Sequence, residues 1–128
     1  MTKVIKGDRG LSYLEIVLAL AVLAYIVLAF AQLFMSSAIS VKETEFQTLA
    51  NTYASDYMED IKHMEYSTIS TGTWTAQSQA LGQDGKVFTR QTTVSELSSG
   101  LKQVRVQVNW TDVTGSRNIE ITSLIADY

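Results

Sequence analysis

Hydrophobic positions follow three different rhythms along this chain. The first is unbroken: sixteen consecutive apolar residues run from Ile16 to Ala31, and between Leu11 and Met35 only Ser12, Glu15 and Gln32 interrupt the run. About 20 apolar helical residues match the roughly 30 Å hydrocarbon core of a bilayer. Leu and Ala at this density favour helix, because neither loses much rotamer freedom there or competes for backbone hydrogen bonds. In lipid a helix also satisfies its own backbone polar groups. This stretch is predicted to enter a membrane.

The second rhythm is helical and one-sided. Ile39, Phe46, Ala50, Tyr53, Tyr57, Ile61 and Met64 recur at intervals that place them on one stripe of a 3.6-residue helix. Lys42, Glu43, Glu45, Asn51, Asp56, Glu59, Asp60 and Lys62 fall largely off that stripe. Neither Gly nor Pro occurs between Ser36 and Tyr66, so the spacing predicts one helix of about fifty residues, apolar all round in its first half and amphipathic in its second. Such a stripe needs a surface to cover it.

The third rhythm has period two. After a Ser-, Thr- and Gln-rich connection over 66–85, in which Thr71–Thr75 reads either as a short strand or as a turn carrying Trp74, a strand is predicted from Val87 to Val94. The turn Asp84-Gly85 leads into it. Ser95–Gly100 is read as a turn or irregular link. Val104, Val106, Val108 and Trp110 then alternate with polar residues, and Ile119 and Ile121 do the same beyond a hairpin turn at 112–116, followed by Leu124 and Ile125. The expected fold class is therefore α+β: a long N-terminal helix whose amphipathic half packs on a three-stranded antiparallel meander.

Charge adds a direction. Of 10 basic and 13 acidic residues, Lys3, Lys6, Arg9 and Asp8 precede the apolar run, leaving a net charge of −5 from Leu11 onward. Cations before the span put the amino end in the cytoplasm and the remainder outside. The acidic remainder has no clustered basic face, so no nucleic-acid partner is expected. The chain contains no Cys and so offers no thiolate metal site. A secretory signal places its small-residue cleavage site after the apolar region; here the small residue, Gly10, comes before it. Glu15 stands out as well, because a carboxylate at the edge of a hydrophobic span is costly to bury without a partner.

The order Gly10, Leu11, Ser12, Tyr13, Leu14, Glu15, after a basic leader and before a long apolar helix, resembles the type IV pilin-like family of pilins, minor pilins and pseudopilins. The resemblance implies that a membrane prepilin peptidase cuts between Gly10 and Leu11 and methylates the new amine on Leu11. It implies that Glu15 is the glutamate used in filament assembly. The chain departs from the family in carrying Leu11 where Phe or Met is commoner, and in having no Pro in its helix. On this reading 1–10 is a leader peptide, 11–35 the transmembrane and filament-core half of the helix, and 36–128 an extracytoplasmic globular domain. The stretch Val104–Asp112, reading Val-x-Val-x-Val-x-Trp-Thr-Asp, with Gly115 and Thr122–Ala126 after it, is similar to minor pilins of the V and I types. The I-type members include a minor pseudopilin of type II secretion that sits at a filament tip. The implied partners are other pilin or pseudopilin subunits, the prepilin peptidase and an inner-membrane assembly platform. An adhesive or motile pilus, a DNA-uptake pilus and a secretion pseudopilus all remain open.

Catalytic chemistry finds little to work with. His63 is the only His, and without Cys or a second His it builds neither a transition-metal site nor a His-based triad. Asp56, Glu59 and Asp60 read as a solvated acidic face, and Asp84-Gly85-Lys86 lacks the ligand alternation of a calcium loop. No Ser lies in a Gly-x-Ser-x-Gly elbow. No enzyme, cofactor or metal site is expected. A permanently membrane-resident single-pass sensor or adaptor, or an accessory subunit of a membrane complex, is the alternative class. Neither explains why Gly10 precedes the span or why Glu15 lies where it does. Filament assembly accounts for both, because Glu15 can pair with the Leu11 amine of a neighbour, offsetting the desolvation of two ions that alone are costly.

Overall fold

The structure is a computed structural model that describes residues 12–127. It contains one long helix, α1 (Tyr13–His63), a 3₁₀ turn at Tyr66–Thr68, and five strands: β1 (Gly72–Thr73), β2 (Gln77–Leu81), β3 (Lys86–Ser98), β4 (Leu101–Asp112) and β5 (Gly115–Ala126). The α+β architecture expected from the sequence is present, a long apolar helix followed by an antiparallel sheet on which its later part packs. The chain divides into two compact units between Ser40 and Val41.

α1 runs for 51 residues because nothing in it breaks a helix. It carries Glu15 in its first turn and Lys62 and His63 in its last, charges that complement the helix dipole. It stops where Glu65 turns to extended backbone and a run of Ser, Thr and Ile follows, residues that compete for backbone hydrogen bonds or lose rotamer freedom in a helix.

In the second unit the sheet has the order β1-β3-β4-β5, with β2 also pairing β3. β1 meets Thr93 and Val94, whereas β2 meets the stretch from Lys86 to Arg90, so the two short strands share one edge of β3. Every pairing is antiparallel. One face of the sheet meets α1. There Phe88, Val94, Val104, Val106, Val108 and Trp110 pack with Ala50, Ala54, Met58 and Ile61 of the helix and with Ile69. Burial of a large side chain of this kind contributes about 1.5–3 kcal/mol. Phe88 sits between Phe46 and Trp110, with ring centroids 6.3 and 5.7 Å away.

Several expectations need correction. The sheet has five strands rather than three. Gln77–Leu81, read from composition as part of a loop, is β2; its polar side chains are acceptable because it lies at an edge and is mostly exposed. Gly72–Thr73 forms the short strand β1, and Trp74 just after it is half-buried, its Nε1 donating to Ser70 O at 3.0 Å. β3 continues through Ser95 to Ser98, across residues read as a link, with an irregularity between Glu96 and Ser98. The buried line of α1 is Ala50, Ala54, Met58 and Ile61. Ile39 and Met64, placed on the stripe from spacing, are exposed, and Phe46, Tyr53 and Tyr57 are half-buried flanks. Ala50 and Ile61 are on the expected stripe, whereas Ala54 and Met58 are not; the small Ala side chains let the helix backbone approach the sheet. The β2–β3 turn depends on Gly82, whose φ is +75° and whose missing Cβ would lie 2.9 Å from Leu49 Cδ1.

Candidate functional site

The described part of the first unit is the beginning of α1, and no described residue covers it. Each described residue from Ser12 to Ser40 is exposed, among them Leu18, Leu20, Leu23, Leu28 and Phe30. Its most apolar 18-residue window has a mean hydropathy of 2.6 and no buried residue, and α1 is the one helix among the described residues long and apolar enough to cross a membrane. An apolar surface of this extent does not stay in water.

Glu15 sits in the first turn of that helix and is exposed. Ser12 begins the hydrogen-bonding, its carbonyl accepting from the Glu15 and Ile16 amides at 2.9 and 3.1 Å. The Glu15 side chain thus stands in the first turn, at the positive end of the helix dipole. It has no ion-pair partner among the described residues. Gly10 and Leu11, the two residues of the expected cleavage, lie outside the described residues.

The second unit carries polar groups that the sequence alone did not single out. Arg90 lies on the inner face of β3, where its neighbours in alternation are Phe88 and Thr92. Its guanidinium lies 3.4 Å from the ring centroid of Tyr57 and 4.8 Å from that of Tyr53, and it donates to Gln77 Oε1. A planar, weakly hydrated cation stacked on two rings is a stable way to bury charge. The signal was an Arg in phase with core residues together with tyrosines four apart on a helix, legible only once β3 and α1 are known to face each other.

Two further clusters tie the ends of this unit. Arg117 pairs with Glu43 at 2.7 Å and lies 3.6 Å from Asp112, whose side chain is only 4% exposed. Asp112 Oδ1 accepts from the Thr114 hydroxyl at 2.5 Å and from its amide at 2.6 Å, which holds the Asp112 carboxyl below its ordinary range. At the opposite end of the sheet, Lys102 donates to Tyr66 O and Ile69 O at 3.0 and 2.7 Å. Its ammonium lies 4.0 Å from the Tyr66 ring. The Tyr66 hydroxyl is buried without a hydrogen-bond partner among the described residues, and burial, helped by Glu96 and Asp127, pushes its ionisation upward.

His63 is exposed at the end of α1, 3.8 Å from Glu59. Asp56, Glu59 and Asp60 lie on the exposed side of the helix. No group of three or more His, Cys, Asp or Glu side chains suited to a metal ion occurs among the described residues. Comparison with protein-family models, with curated proteins and with solved structures finds no match.

Proposed function

We propose that this chain is a structural minor subunit of a type IV pilus-like or type II secretion pseudopilus filament, placed in the tip or initiation complex. The observation that carries the reading is the conjunction at the amino end: Lys3, Lys6, Arg9 and Gly10, then Leu11, then Glu15 in the first turn of a helix whose apolar half has no covering. A peptidase cut after Gly10 creates an amine on Leu11. Glu15 of an adjacent subunit neutralises it in a medium of low dielectric, and the pair sets the axial register between subunits. Before assembly the subunit rests in the cytoplasmic membrane with its amino end inside and its globular unit outside. During assembly the apolar helix exchanges lipid for other helices, an exchange with little hydrophobic gain of its own that calls for work by an assembly machine.

The test is intact-mass measurement of the protein from its native membrane. The mature chain should lack residues 1–10 and carry one added methyl group. A mature chain that still begins at Met1, with the peptidase present, would replace this reading with that of a resident single-pass sensor or adaptor.

A further inference from the structure

The turn between β2 and β3 carries the one Asp-Gly step of the sequence, Asp84-Gly85, and no Asn-Gly occurs. Such a step is chemically labile. A backbone amide nitrogen can attack the side-chain carboxyl carbon of the preceding Asp, and glycine, having no Cβ, shields its own nitrogen least. At Gly85 the φ is +61° and nothing lies within 4 Å of where a Cβ would stand, so the approach is open. Asp84 is exposed in the same turn.

Both reacting groups are nevertheless held. Lys42 Nζ donates to Asp84 Oδ2 at 2.6 Å, and Glu45, one turn further along α1, holds the same ammonium at 3.7 Å. The Gly85 amide donates to Gly82 O at 3.3 Å. Ring closure turns Asp84 Cγ onto the Gly85 nitrogen and takes the proton from that nitrogen, so it has to break both contacts. An exposed ion pair contributes little to folding, but this one fixes a carboxylate that would otherwise be free to react. The turn has no slack either. Leu81 opposite Lys86 closes the ladder, and a Cβ on Gly82 would stand 2.9 Å from Leu49 Cδ1.

We infer that Asp84-Gly85 is a site of covalent modification by isoaspartate formation, restrained by Lys42, and that the modification releases β2 from the sheet. In the first step the Gly85 nitrogen bonds to Asp84 Cγ. The nitrogen's proton, the carboxyl proton and one carboxyl oxygen leave as water, and the ring is a succinimide. Water then adds to one of the two ring carbonyls. Opening at Cγ restores aspartate. Opening at the Asp84 backbone carbonyl breaks the original peptide bond, so the chain runs on through Cβ and Cγ and the new carboxylate stands on Cα. The water lost in the first step returns in the second, and nothing is oxidised or reduced. The modified main chain is one methylene longer, so it no longer sets Leu81 opposite Lys86. β2 is mostly exposed and has little packing to hold it once that pairing is lost. The inference stands whether or not the chain belongs to a filament.

The experiment incubates the full chain in detergent micelles, and separately the synthetic peptide LGQDGKVF with the sequence of Leu81–Phe88, at neutral pH. Isoaspartate is measured by chromatography of the digested chain. The chain should isomerise about 10-fold more slowly than the peptide, since a hydrogen bond and an ion pair have to break first. Lys42→Gln should raise the rate about 2–5-fold, and Lys42→Arg, which keeps the charge, should return it towards the wild-type rate. Salt at about 1 M, where the screening length is about 3 Å, should speed the wild type towards Lys42→Gln and leave that variant and the peptide unchanged. Asp84→Glu keeps a carboxylate but needs a larger ring, and should give no such product. In the isomerised chain, amide hydrogen exchange should quicken over Gln77–Leu81 and stay unchanged in β4 and β5. A chain that isomerises as fast as the peptide, or a Lys42→Gln rate equal to that of the wild type, overturns the inference. Unchanged exchange over Gln77–Leu81 after isomerisation overturns the release of β2.

Discussion

Trp110 illustrates how one residue reports on the core. Its ring is buried to 4% exposure against Phe88, yet its indole Nε1 is buried without a hydrogen-bond partner among the described residues. The ring therefore contributes by volume and the N–H contributes nothing. Trp110→Ala should lower stability by about 3–5 kcal/mol, whereas Trp110→Phe, which keeps most of the contact and removes the unpaired donor, should lower it by no more than about 1.5 kcal/mol. Urea unfolding of the two variants checks both figures. Asp112 reports on pH. The Thr114 hydroxyl holds its folded carboxyl below the ordinary value of 3.8, so the folded state favours the ionised form. That contribution is complete above the unfolded value and is lost as pH falls through it towards the lower folded one. The difference in Tm between the wild type and Asp112→Asn should be constant from about pH 7 to about pH 5 and shrink below about pH 4. A difference that does not change over this range would mean that Asp112 acts through turn geometry rather than charge.

At the scale of the element, α1 is two helices in one. From Tyr13 to Ser40 its side chains are exposed all round, and beyond Val41 one line of them is buried. Glu15 lies in the exposed part, which gives it a separable effect. Glu15→Ala makes that part more apolar, so membrane insertion should be normal or better. Cleavage after Gly10 should proceed too, since the site lies upstream. If Glu15 neutralises the Leu11 amine of a neighbouring subunit, assembly alone suffers, by the several kcal/mol expected when one partner of a buried pair is lost. Glu15→Asp should restore it only in part, because its carboxylate is one methylene shorter. The measurement is filament incorporation, or crosslinking to neighbouring subunits, at equal membrane levels of each variant. Incorporation of Glu15→Ala at the wild-type level would show that this carboxylate is merely solvated.

At the scale of the molecule, the buried residues among those described all lie in the unit that begins at Val41. A fragment beginning at Val41 should therefore fold in water without detergent and unfold in a single cooperative thermal transition, because its sheet and the later part of α1 bury each other. The full chain should require detergent or lipid, since Leu18 to Phe34 leave apolar surface uncovered. Circular dichroism on both polypeptides decides the matter. A fragment that remains unfolded would mean that the core needs the first unit after all.

What the sequence determined by itself was whatever depends on near neighbours in the chain. Sixteen unbroken apolar residues, the absence of Gly and Pro between Ser36 and Tyr66, the alternation at 104–110 and the turn at 112–116 each act within a few residues, and the helix, strand and turn they predict are present. The α+β class follows from putting those elements in order. Strand β2 was not legible because Gln77–Leu81 carries no apolar alternation of its own; it is a strand only because the edge of β3 offers it a ladder. On α1 the spacing found Ala50 and Ile61 but not Ala54 and Met58, because which residues beside the stripe are buried depends on where the sheet approaches, a distance that no local pattern encodes. Arg90 between Tyr53 and Tyr57, and Arg117 between Glu43 and Asp112, join residues far apart in the chain. Only the closing of the sheet against the helix decides them.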